Sequence, residues 1–173
     1  MRSGIVLVLG GASSGKSAFA ERLTEESGLT RIYLATAEAG DAEMLERIAA
    51  HRARRGAAWR TVEVRDRLEE ALATEAGEDR AVLVDCLTLW LSNLMLAGAD
   101  IEARTRALAE KASGLSGLVV FVSNEVGLGI VPENPLGRRF RDAQGFLNQA
   151  IAAIADRVVF MAAGLPLYLK GAP

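Results

Sequence analysis

Leu7-Val8-Leu9-Gly10-Gly11-Ala12-Ser13-Ser14-Gly15-Lys16-Ser17 carries an apolar strand into G-x-x-x-x-G-K-S and onward into a helical pattern. That is the arrangement of a phosphate-binding P-loop. Gly10, Gly11 and Gly15 permit backbone dihedrals that a Cβ resists, so successive N–H groups can turn inward around a phosphate. The helix that follows aims the positive end of its dipole at the same anion. Lys16 reaches the outer phosphates as a point charge, and the Ser17 hydroxyl is placed to ligate Mg²⁺. The plainer alternative is a Gly/Ser turn that happens to carry a lysine. It leaves the flanking strand and helix without a reason, and these are the context the motif requires. Gly10, Gly11, Ala12, Ser13, Ser14, Gly15, Lys16 and Ser17 are therefore expected to bind a nucleotide. What is done with that nucleotide must come from the rest of the chain.

The chain has 173 residues, half of them hydrophobic and about a quarter charged. That suits an ordered globular protein, and a single domain over residues 1–173 is expected. A formal net charge of −2 argues against a general nucleic-acid binder, which would be distinctly basic. Cys86 is the only cysteine, which excludes an internal disulfide and a cysteine metal cluster. The first strand begins within a few residues of Met1, leaving no room for a signal peptide. No apolar run approaches the ~20 residues of a membrane span. A cytoplasmic protein with no nucleic-acid partner and no membrane span is the expectation.

Outward from the P-loop, Ile5–Leu9 is a continuous apolar run, as in a strand buried on both faces of a parallel sheet. Ser17–Ser27 is a helix with Phe19 and Leu23 on one face and Gly28 as its C-terminal cap. Arg31–Ala35 is a strand. Asp41 caps a helix through Met44, Leu45, Ile48 and His51 that closes at Gly56. Trp59–Val64 is a strand, Arg65–Glu75 a helix with Leu68 and Leu72 inward, and Ala81–Val84 a strand ending in Asp85. Leu87–Leu96 and Ile101–Ser113 are helices. Leu118–Val122 is a strand followed by the turn-rich stretch Ser123–Pro135. Leu136–Ala155 is a long helix, amphipathic through Phe140, Phe146, Leu147 and Ile151. Val158–Met161 and Leu165–Leu169 close the chain as a hairpin around Ala163-Gly164. Strands alternating with helices give an α/β domain with a mainly parallel sheet covered on both faces.

Ligands in such sheets gather beyond the carboxyl ends of the strands. That rule collects the P-loop, Ala35-Thr36-Ala37, Asp85 and Ser123-Asn124-Glu125 on one rim. Asp85 follows an apolar strand, like the acid that helps hold Mg²⁺ in P-loop enzymes, or it caps the next helix. Glu125 is a weaker candidate for an acid or base. His51 is the only histidine, and Arg47, Arg52, Arg54 and Arg55 surround it. It is either a helix-ending residue on a solvated basic face or a neutral imidazole that attacks phosphorus while arginines hold phosphate oxygens. Read alone, the pattern favours the former.

Longer stretches match a known family. They are G-G-A-S-S-G-K-S at Gly10–Ser17, Y-L-A-T at Tyr33–Thr36, E-R-I-A-A-H-R-A-R-R at Glu46–Arg55 and W-R-T-V-E at Trp59–Glu63. V-S-N-E-V-G-L-G-I-V-P-E-N at Val122–Asn134, R-R-F-R-D at Arg138–Asp142 and the terminal G-L-P-L-Y-L-K follow in order. The chain resembles the bifunctional adenosylcobinamide kinase/adenosylcobinamide-phosphate guanylyltransferases of cobalamin biosynthesis over nearly its whole length. The resemblance implies an α/β P-loop NTPase fold, a RecA-like three-layer sandwich. It implies phosphorylation of the aminopropanol hydroxyl of adenosylcobinamide by ATP or GTP. GMP from GTP would then pass, through a guanylyl-histidine, to adenosylcobinamide phosphate, giving adenosylcobinamide-GDP. The nucleophile falls on His51. Nucleotide contacts fall on Gly10–Ser17, Ala35, Thr36, Ala37, Arg52, Ala53, Arg54, Arg55, Glu63 and Asp85, with Mg²⁺ at Ser17 and Asp85 and a homotrimer as the assembly. Gly40 and Gly56 flank the His51 helix and would let it shift between the two reactions. A kinase that lost the guanylyl step, or a non-catalytic nucleotide-dependent switch module, are the competing readings.

Overall fold

A computed structural model describes residues 2–37 and 56–172. Seven strands, β1 (Gly4–Gly10), β2 (Thr30–Ala35), β3 (Trp59–Glu63), β4 (Arg80–Asp85), β5 (Leu118–Asn124), β6 (Arg157–Ala162) and β7 (Leu165–Lys170), form one sheet in the order β3-β2-β4-β5-β1-β6-β7. Every pairing is parallel except β6–β7. Helices α1 (Lys16–Glu26), α2 (Leu68–Glu75), α3 (Leu87–Leu96), α4 (Ile101–Ser113) and α5 (Pro135–Ile154) lie between the strands in sequence.

The parallel strands are apolar on both faces because both faces are covered. On one side Ile5, Leu7, Leu9, Val82, Val84, Val119 and Phe121 meet Leu72 of α2, Trp90 and Leu94 of α3, Leu108 of α4 and Leu147 of α5. On the other side Val6, Val8, Leu83, Val120 and Val159 pack with Phe19 and Ala20 of α1, and Tyr33 meets Trp59 edge-on. Burying a side chain of this size stabilises the fold by about 1.5–3 kcal/mol. The three-layer α/β arrangement agrees with the expectation.

Register fixes the rim. Gly10 of β1 stands opposite Asn124 of β5 and Met161 of β6. Ala35 of β2 stands between Glu63 of β3 and Asp85 of β4, and Asp85 also faces Val122. One strand, β5, is inserted between the P-loop strand and the strand ending in Asp85.

Several boundaries differ from expectation for identifiable reasons. The helix expected from Arg65 begins at Leu68. Asn93 Nδ2 donates to the Arg65 carbonyl and Trp90 Nε1 to the Asp66 carbonyl, holding that segment out of helical geometry. Strand β5 runs on to Asn124, because Ser123 and Asn124 exchange their side-chain and backbone bonds with Asn148 on α5. Pro135 opens α5 instead of preceding it, since its missing N–H costs nothing at the first helical position. Phe146 is half-exposed, standing about 100° round the helix from the buried Leu147. The helices over Leu87–Leu96 and Ile101–Ser113 and the hairpin at Ala163-Gly164 stand as expected. The helix expected from Asp41 through His51 lies outside the described residues.

Candidate functional site

The P-loop turns sharply between β1 and α1. Gly15 has φ +93, and a Cβ there would lie 3.3 Å from Gly164 Cα in the β6–β7 turn. A Cβ on Gly10 would lie 2.5 Å from Ser14 Oγ and 2.7 Å from the Met161 carbonyl oxygen. The loop is thus packed against the hairpin, and the Gly164 N–H donates to the Ser14 carbonyl at 3.0 Å. Helix α1 begins directly from Gly15 with no side-chain cap and no acidic residue in its first turn. Its first N–H groups and dipole therefore remain available to an anion.

Lys16 is 9% exposed, and its Nζ donates to the Gly11 carbonyl at 2.8 Å. Burial pushes its pKa down, while the negative charges available at Cys86 and Asp85 oppose that. The ammonium is held within the loop by a carbonyl, with which phosphate oxygens would have to compete. Among the described residues the buried Ser14 hydroxyl has no hydrogen-bond partner. A buried polar atom of this kind ordinarily has one, and it lies in the loop where the sequence places phosphate oxygens.

Across the rim, Thr36 is fully buried and its hydroxyl is committed twice to Cys86. It accepts from the Cys86 N–H at 2.8 Å and donates to the Cys86 carbonyl at 2.7 Å. Asn93 Nδ2 donates to the Thr36 carbonyl at 3.0 Å. These bonds tie the end of β2 to the segment after β4 and fix Asp85 beside Ala35. The cap of α3 is Cys86, with no side-chain cap bond, so Asp85 is not the N-cap of that helix. Burial, with Asp85 nearby, raises the Cys86 thiol to about 11.

The structure thus brings Gly10–Ser17, Ala35, Thr36, Ala37, Glu63, Asp85 and Glu125 to the carboxyl ends of adjacent strands. The Glu125 N–H donates to the Gly10 carbonyl at 3.0 Å, and its Oε1 accepts from the Gly127 N–H at 2.5 Å. Glu125 therefore braces the loop that follows. His51, Arg52, Ala53, Arg54 and Arg55 lie outside the described residues.

Sequence reasoning missed a buried polar cluster behind the rim. Ser123 Oγ donates to Asn148 Oδ1 at 2.7 Å, and Gln144 Nε2 donates to both. Asn148 Nδ2 donates to the Asn124 carbonyl at 3.1 Å, while the Asn124 N–H donates to Thr88 Oγ1 at 2.8 Å. Helices α5 and α3 thereby pin the peptide groups opposite Gly10. The available signal was Gln144 and Asn148, four apart on the face that also carries Leu147 and Ile151.

The family model for cobinamide kinase / cobinamide phosphate guanyltransferase matches residues 6–169. The chain belongs to this family. It is 54% identical to the bifunctional adenosylcobalamin biosynthesis protein CobP of Pseudomonas aeruginosa, covering 96% of this chain and 98% of that one. To the corresponding protein CobU of Salmonella typhimurium it is 38% identical, covering 96% and 99%. Among solved structures it is similar to the flagellar accessory protein FlaH of Methanocaldococcus jannaschii. That match has a TM-score of 0.53 and 14% identity over 97% of this chain and 78% of the other. The P4 protein of bacteriophage phi6, solved with ADP, matches with a TM-score of 0.51 and 18% identity, over 95% of this chain and 54% of that one. At those identities the likeness speaks for the P-loop NTPase fold alone. As a cobinamide kinase/guanyltransferase, the chain is a bifunctional, nucleotide-using enzyme of cobalamin biosynthesis.

Proposed function

We propose that residues 1–173 act as one P-loop domain in which both reactions use the nucleotide held at Gly10–Ser17. The observation that carries this reading is the P-loop, with its buried lysine, facing Asp85 across the rim in a chain that fits the family almost end to end. In the first reaction the aminopropanol hydroxyl of adenosylcobinamide attacks the terminal phosphorus of ATP or GTP. The bond to the bridging oxygen breaks and the nucleoside diphosphate leaves. Such a transfer depends mainly on positioning and charge neutralisation, which the loop N–H groups, the α1 dipole and Lys16 provide.

In the second reaction a ring nitrogen of His51 attacks the α-phosphorus of GTP and pyrophosphate leaves. A phosphate oxygen of adenosylcobinamide phosphate then attacks the phosphorus of the guanylyl-histidine, forming the diphosphate and releasing the imidazole. Splitting the displacement in two keeps each step at one phosphorus with a good leaving group. Arg52, Arg54 and Arg55 hold phosphate oxygens with paired hydrogen bonds, and Ala35, Thr36, Ala37, Ala53, Glu63 and Asp85 complete the nucleotide contacts. With its hydroxyl bound to Cys86, Thr36 would offer backbone.

Ser17 and Asp85 would hold Mg²⁺, which would neutralise phosphate charge. Among the described residues no three His, Cys, Asp or Glu side chains come together as a metal cluster. Two oxygen ligands from the protein fit Mg²⁺ that arrives with nucleotide phosphates and keeps several waters. We further place the enzyme in the cytoplasm as a homotrimer. No described helix is long and apolar enough to cross a membrane.

The reading is tested with GTP and adenosylcobinamide offered separately and together. The wild type should convert adenosylcobinamide to its phosphate and then to adenosylcobinamide-GDP. Production of the phosphate alone would mean a kinase without the guanylyl step. Nucleotide binding without turnover of any corrinoid would mean a switch module.

A further inference from the structure

The segment between β5 and α5 is anchored at both ends and bare in its middle. At one end Glu125 is bonded to Gly10 and Gly127. At the other, the Arg138 guanidinium donates to the carbonyls of Pro132, at 3.0 Å, and Glu133, and Asn134 Oδ1 accepts from the Gly137 N–H at 2.6 Å. Between these anchors Leu128 is 82% exposed, Ile130 97% and Val131 56%, and Leu136 in the first turn of α5 is 58% exposed. A loop that is braced in this way and still turns large aliphatic side chains to solvent has the character of a binding surface.

Its position says what it binds. Five peptide steps separate Glu125 from Ile130, so Ile130 lies within about 18 Å of the residue bonded to the P-loop strand. The acceptor must place its hydroxyl at the terminal phosphate held by that loop, so the bulk of the acceptor must lie over the same rim. A corrinoid is a large flat ring with apolar faces and amide-bearing arms. The P-loop, Thr36 and Asp85 offer phosphate and metal contacts and no aliphatic surface for such a ring. Of the exposed leucines on edge strand β7, Leu165 alone stands at the rim, opposite Ala162, and Leu167 and Leu169 run away from it.

We propose that the braced loop Gly127–Val131, with Leu136, is the corrinoid-binding surface, its aliphatic side chains packing against the ring of adenosylcobinamide while the aminopropanol arm reaches the P-loop. The assignment rests on the kinase/guanylyltransferase reading above.

The test uses the whole protein with adenosylcobinamide and GTP. In the double variant Leu128→Ser/Ile130→Ser the KM for adenosylcobinamide should rise by about tenfold or more. The KM for GTP, the covalent guanylylation seen with GTP alone and the sedimentation mass should stay as in the wild type. Leu96→Ser at the far end of α3, another exposed leucine, should keep the wild-type KM. An unchanged corrinoid KM in the double variant overturns the assignment. A changed sedimentation mass also overturns it, because a second copy of the chain would then be the occupant. Failure of the underlying reading shows separately, as a wild type that turns over no adenosylcobinamide.

Discussion

At Lys16 the fold keeps a charged ammonium in a site that lowers its pKa through burial. Burial disfavours the charged form, so the lysine lowers stability at neutral pH, and that cost fades as pH rises towards the unfolded value near 10.5. Lys16→Met is therefore expected to melt no lower than the wild type at pH 7 while losing ~10²–10³-fold in turnover, as scanning calorimetry and steady-state assay would show. A Tm well below wild type would mean that the bond to the Gly11 carbonyl matters more to the fold than the buried charge. Cys86 gives the opposite sign. Its thiol is raised to about 11 from 9.0, so between those pH values the unfolded chain has lost a proton that the native state keeps. Stability should fall over that window, by about 3 kcal/mol. Urea titrations from pH 8 to 11 should show the loss in the wild type and a flatter profile in Cys86→Ala.

At the scale of elements, the rim depends on side chains that join strand ends to helices. Thr36→Val keeps the shape but leaves the buried Cys86 N–H without its partner, while the Cys86 carbonyl keeps the Trp90 N–H. The expected cost is about 2 kcal/mol in denaturant unfolding, with a raised KM for nucleotide because Asp85 is no longer held beside Ala35. Unaltered stability would show that water replaces the hydroxyl. Gly15→Ala tests the contact between P-loop and hairpin. Its φ of +93 is unfavourable for alanine and the added Cβ would press on Gly164, so weaker nucleotide binding and about 1–2 kcal/mol of destabilisation are expected. Equilibrium dialysis with GTP and thermal melts measure both.

At the scale of the whole molecule, most of the architecture was legible because its signals are local. Continuous apolar runs such as Val82–Val84 and Leu118–Val122 announce strands covered on both sides, and the G-x-x-x-x-G-K-S glycines announce a turn that only they can make. The rim was legible by topology, since parallel strands bring their carboxyl ends together. What escaped was set by tertiary partners. Arg65 stays out of α2 because Asn93, far along the chain, takes its carbonyl. Gln144 and Asn148 carry no mark of their role in the helical pattern until Ser123 is seen behind them. Edge strand β7 presents Leu165, Leu167 and Leu169, each more than half exposed. The proposed homotrimer would give that face a partner. Sedimentation equilibrium should return three chain masses, and Leu167→Lys should lower that mass if the edge is the interface.

The central claim is that the P-loop holds GTP while His51 takes the GMP, and its most direct test is covalent labelling with GTP carrying radiolabel on the α-phosphate. The protein should retain acid-labile, base-stable label mapped to His51, release pyrophosphate in equal amount, and lose the label in His51→Ala. A wild type that stays unlabelled, or a His51→Ala variant that labels as well as wild type, would contradict the account.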